Sequence, residues 1–127
     1  MRKLIVACLL LAAATPAAPE QAAPAIVPVD LTSFDFSPSR IHLRAGVPVV
    51  LRLRNPGRGG HNFSAPQFFA AARVEPAAAG QIRRGSVEVP SRGSVDIALI
   101  PAAGRYRLRC THMFHTAFGM RGEIVVE

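Results

Sequence analysis

The sequence predicts an all-β fold, a Greek-key β-sandwich or barrel of about seven to eight strands with one short inserted helix. Three observations carry that expectation. Apolar residues recur at period two over several short runs, as they do in strands buried on one face. Turn-forming pairs separate these runs at short intervals, at Ser37-Pro38, Ala45-Gly46, Asn55-Pro56-Gly57, Pro90 to Gly93 and Pro101 to Gly104. A single Ala- and Phe-rich stretch breaks the pattern and reads as the helix.

The first element is not part of the fold. Arg2-Lys3 precede an apolar run from Leu4 to Ala14, with small residues at Ala12 and Ala14, which is the form of an export signal. The run is too short to span a bilayer as an ordinary helix. Cys8 falls inside it and is expected to be lost with the signal, a lipidated cysteine being the other reading. From Thr15 to about Pro28 the chain is mostly Ala and Pro and suits an extended tether. Residues 1–25 are therefore assigned to signal and tether and residues 26–127 to one domain. Export implies a periplasmic or secreted protein, with no transmembrane span once the signal is removed.

Within the domain, Val47, Val49, Leu51 and Leu53 alternate with Pro48, Val50, Arg52 and Arg54. Gln67 to Val74 is the inserted helix, with Pro66 at its start, Ser64 as cap and Glu75-Pro76 at its end. Val95, Ile97 and Leu99 then alternate with Ser94, Asp96 and Ala98. In Gly104 to Cys110, Tyr106, Leu108 and Cys110 share one face and Arg105, Arg107 and Arg109 the other. Three guanidinium groups will not be buried unpaired, so the Arg face is wet and Cys110 points inward. A last strand runs from Gly122 to Glu127.

Composition narrows the function classes. Half of the 127 residues are apolar and 18% are charged, which excludes disorder over most of the length. After Lys3 there are 13 basic and 8 acidic residues, a net charge of +5. Every one of those basic residues is Arg, spread along the chain rather than gathered into a run interleaved with aromatics, so no nucleic-acid partner is expected. Cys110 becomes the single thiol of an exported chain. It is a metal ligand, a reactive nucleophile or a buried core residue.

The loop after it favours a ligand. Cys110, His115 and Met120 fall at Cys-x4-His-x4-Met between the final two strands. A thiolate, two imidazoles and a weak axial thioether make up the donor set of a blue-copper site. His61, in Gly59-Gly60-His61-Asn62-Phe63, supplies the second imidazole, and Asn62 offers an amide to brace the loop. His112 is expected to be a surface or supporting residue and His42 a solvated one. A catalytic Cys-His pair would need an orienting group and an oxyanion pocket, and neither is indicated, so no enzyme is expected.

From about Ile26 to Glu127 the chain resembles the cupredoxins, the family of plastocyanin, azurin and rusticyanin. The resemblance rests on the Gly104-x-Tyr106-x-x-x-Cys110 approach, the His61-Asn62 pair and the Cys110-Thr111 dipeptide. It implies one copper ion cycling between Cu(I) and Cu(II), with His61, Cys110 and His115 equatorial and Met120 axial. It also implies a monomeric electron carrier. Its partner would be a redox protein, such as a c-type cytochrome or a membrane oxidase or reductase, docking near His115 on a rim of Met113, Phe114, Ala117 and Phe118. Multicopper oxidases flank the cysteine with histidines, whereas Arg109 and Thr111 stand here, so a trinuclear cluster is excluded. The same ligands would also suit copper capture and delivery in the periplasm.

Overall fold

The computed structural model describes residue 3 and residues 10–18, 22–112 and 120–127. Its elements follow in the order β1 (Ala25–Thr32), β2 (Asp35–Ser37), β3 (Arg40–Leu43), β4 (Val49–Arg54), β5 (His61–Ser64), α1 (Pro66–Ala71), β6 (Arg73–Val74), α2 (Pro76–Ala79), β7 (Ser86–Val89), β8 (Ser94–Ile100), β9 (Gly104–Arg109) and β10 (Arg121–Val126). They form two five-stranded sheets, β2-β1-β4-β8-β6 and β3-β10-β9-β5-β7. Most neighbours are antiparallel, but β1 pairs parallel with β4 and β10 parallel with β3. Those pairings require the chain to cross between sheets rather than meander within one.

Alternation sets what each sheet buries. Val49, Leu51 and Leu53 of β4 face inward with Ile97 and Leu99 of β8, and Leu108 and Ile124 answer them from the other sheet. Phe36, Phe63, Phe68 and Phe69 join the core, with Phe63 edge-on to Phe36 at 6.0 Å and to Phe69 at 5.9 Å. Such edge-to-face pairs add about 1 kcal/mol each beyond the area they bury. Tyr106 packs on Phe68 at 5.5 Å. Its hydroxyl sits 2.9 and 3.0 Å from the carbonyls of Ala102 and Ala103, anchoring the turn before β9.

The all-β sandwich stands as expected, with five differences in detail. The helix is shorter than Gln67 to Val74: α1 ends at Ala71, and Val74 pairs with Leu99 as part of β6. Pro76 does not end a helix but opens α2, because its fixed φ suits a first helical turn. Ser64 is not the cap; Ala65 holds that place without a side-chain bond, and Ser64 closes β5, where its hydroxyl accepts from Ser86 at 2.7 Å. Val47 lies outside β4 and is 43% exposed, since its N–H turns back onto the Arg44 carbonyl after the left-handed Gly46. The ten strands among the described residues exceed the expected number because β2 and β6, of three and two residues, are too short to stand out as separate apolar runs.

Among the described residues no helix is long and apolar enough to cross a membrane. Residues 10–18 carry no helix or strand, and Cys8 lies outside the described residues.

Candidate metal centre

Three strand ends converge at one end of the second sheet. Strand β9 runs antiparallel to both neighbours, with Arg109 opposite Ser64 of β5 and opposite Arg121 of β10. The end of β9 therefore lies between the end of β5 and the start of β10, and the residues that follow it run back along β5 towards His61. His61 opens β5, Cys110 follows β9 and Met120 precedes β10. All three are buried, at 3%, 0% and 0% exposure. The Cys110 N–H donates to the Met120 carbonyl at 3.1 Å, so the thiol- and thioether-bearing residues are joined directly through backbone.

Orientation follows from register. Carrying the Ser64–Arg109 pairing two residues on brings Asn62 opposite Thr111. The side chains agree: Asn62 donates from Nδ2 to Thr111 Oγ1 at 2.7 Å, and its Oδ1 accepts the Thr111 N–H at 2.8 Å. Asn62 and Thr111 meet on the outer face. Alternation then turns the residues beside them, His61 and Cys110, to the inner one. The residue after one candidate donor is thus fastened to the residue after the other, a bracing role the sequence assigned to Asn62.

Glu88, on β7, completes this brace and was not singled out from sequence. Its carboxylate accepts from Asn62 Nδ2 at 3.0 Å through Oε1 and lies 2.9 Å from His112 Nε2 through Oε2. Burial pushes the Glu88 carboxyl up, but the bonds from Asn62 and His112 and the charge of His112 outweigh it and hold the group below its ordinary value. His112 therefore stands as a supporting residue tied to the outer face. No local signal in the sequence marks Glu88, because its partners lie 26 and 24 residues away.

Asn55 is the second residue that sequence reasoning passed over, having been read only as part of a turn. It is fully buried. Its Nδ2 donates to the carbonyls of Gly59 at 2.8 Å and Val89 at 3.1 Å, and its Oδ1 accepts the Gly57 N–H at 3.2 Å. Asn55 thereby shapes the loop that delivers His61. Gly59 takes a left-handed φ of 81°, a conformation that favours glycine.

His115, the fourth expected donor, lies outside the described residues, as do Met113, Phe114, Ala117 and Phe118 of the expected rim. Among the described residues no three His, Cys, Asp or Glu side chains gather into one group. The buried trio of thiol, imidazole and thioether is soft, and Glu88 is engaged on the opposite face of the sheet. That donor chemistry fits copper and does not fit a hard cation such as Mg²⁺ or Ca²⁺. His42 is exposed, as expected.

The fold has solved relatives. An auracyanin from Roseiflexus castenholzii, in its dithionite-reduced form, superposes with a TM-score of 0.60 at 17% identity, over 84% of this chain and 99% of its own. Auracyanin A of Chloroflexus aurantiacus, a blue copper protein, gives 0.57 at 20% identity over 83% and 100%. Auracyanin B gives 0.54 at 18% over 85% and 93%. At these identities the likeness is one of fold. No curated protein matches the sequence. A model of the cupredoxin-like domain matches residues 3–126, nearly the whole chain, and the chain belongs to that family.

Proposed function

We propose that the protein is a mononuclear type 1 copper protein and an exported electron carrier, in which His61, Cys110, His115 and Met120 would hold the copper ion. Cupredoxin membership supports the class of function. The observation that carries the reading is the burial of thiol, imidazole and thioether at one end of the sandwich, cross-braced by Asn62 and Thr111. When bound, copper supplies a one-electron couple. The chain's own contribution is rigidity and dryness: the donors sit on strand ends, their neighbours are bonded across the sheet, and water is excluded from the thiol. In this reading His115 is the donor nearest the surface, where a c-type cytochrome or a membrane oxidase or reductase docks.

The same burial favours a carrier over a protein that captures and delivers copper, since an exchangeable ion needs an accessible thiol and Cys110 is fully buried. Addition of Cu(II) to the purified protein should produce the intense blue thiolate charge-transfer band, and Cys110→Ser should abolish it. Absence of the band in wild type, or its survival in the variant, refutes the site. Electron exchange with a c-type cytochrome that outpaces copper loss to a chelator supports the carrier; the reverse order supports delivery.

A further inference from the structure

We propose that the outer face of β3, β10 and β9 is a docking surface for an acidic protein. Alternation and register place Arg40, Arg105, Arg107, Arg109 and Arg121 on that face, against a single acidic residue, Glu123. The other sheet is an internal control. There the outward Arg52 and Arg54 are each matched, to Asp96 at 3.0 Å and Asp30 at 2.6 Å, and the remaining outward Arg73 is balanced in number by Asp35. Solubility alone would be served by either arrangement. Five arginines against one glutamate leave these three strands four positive charges in excess, out of the excess of five in the chain after Lys3.

The face already shows what it recognises. Arg40 and Arg105 both bond the Glu123 carboxylate, at 3.2 and 3.1 Å. Arg107 and Arg109 are exposed and make no ion pair among the described residues. With Arg121 they line a groove of about 430 Å³ over the β9–β10 ladder. Guanidinium forks spaced along a strand suit carboxylates, which they grip in pairs. An anionic membrane is the poorer fit, because binding there draws on inserted apolar side chains as well as charge, and the one apolar residue on this face, Val125, is 3% exposed. The surface also lies directly behind the candidate centre: Arg109 and Arg121 adjoin Cys110 and Met120 in the chain and pair with each other. It is distinct from the rim expected around His115, and it stands on charge and register without requiring copper.

The test uses the copper-free, isotope-labelled protein, titrated at low salt with a twelve-residue glutamate peptide and, separately, with phosphatidylglycerol vesicles. Amide shifts should cluster on β9 and β10, and raising the salt should weaken binding. Arg107→Ser with Arg109→Ser should weaken peptide binding about tenfold, while Arg52→Ser with Arg54→Ser, which removes the same charge from the balanced face, should change it less than about twofold. The wild-type shift map decides the matter even where a double variant fails to fold. No binding, shifts spread over both sheets, equal loss in both variants, or tighter binding to the vesicles than to the peptide overturns the proposal. Loss of the blue band in the copper experiment would leave this result untouched, so the two readings fail separately.

Discussion

Asn62→Ala should destabilise the copper-free protein by about 2 to 3 kcal/mol. The substitution removes three bonds: 2.7 Å to Thr111 Oγ1, 3.0 Å to Glu88 Oε1, and 2.8 Å from the Thr111 N–H. Each is worth about 1 kcal/mol net, and the Glu88 bond is held to that figure because its side chain is 66% exposed. The upper end of the range is trimmed because Thr111 is exposed and can regain water once Asn62 is gone. Denaturant unfolding of the metal-free protein reads the loss as a fall in midpoint at constant slope. Thr111→Val removes only the hydroxyl partner, so the double variant should show a coupling of about 1 kcal/mol. A loss below about 0.5 kcal/mol, or a fully additive cycle, would mean that Asn62 does not fasten the two donor strands together.

Asn55→Ala should cost about 2 to 4 kcal/mol, since it leaves the Gly59 and Val89 carbonyls and the Gly57 N–H without their buried partner; the unfolding midpoint reads it. The Asp96 carboxyl is held below its ordinary value by the hydrogen bond from Arg52, with burial opposing and the Arg52 charge assisting. The pair's contribution is therefore complete above the ordinary carboxylate range near about pH 4 and is lost as pH falls through the lower folded value. Asp96→Asn should accordingly be less stable than wild type at neutral pH and equal to it in acid, and a deficit independent of pH would show that charge is not its cause. His112→Ala should keep the blue band and His115→Ala should lose it; the opposite pattern in copper titrations would exchange their roles.

The inward thiol was legible because a strand's two faces are written in alternate letters, and the three arginines of β9 left Cys110 only one side to take. The same rule recovered β4 from Val49 on and β8. It had nothing to say about Glu88, whose importance comes from a cross-strand neighbour, nor about β2 and β6, whose three and two residues are too few to form an apolar run. The inserted helix was recognised by its Pro66 start and overextended at its end, since Ala72-Arg73-Val74 carries no Gly or Pro to mark the stop. Ser64 looked like a cap by spacing, but its hydroxyl found Ser86 across the sheet, a tertiary contact that local capping statistics do not include.

One strand, β9, carries both halves of the functional argument, and they cannot be varied independently. A one-residue slip against β5 and β10 would turn Cys110 out and Arg109 in, losing the thiol and burying a guanidinium together. Register is held along the strand by its pairing with β10, and just beyond its end by Asn62 on Thr111 and the Cys110–Met120 backbone bond. Loosening that end should therefore disturb the candidate metal centre and the charged face at once. The proposed partner surface and the candidate centre thus share the backbone of a single strand.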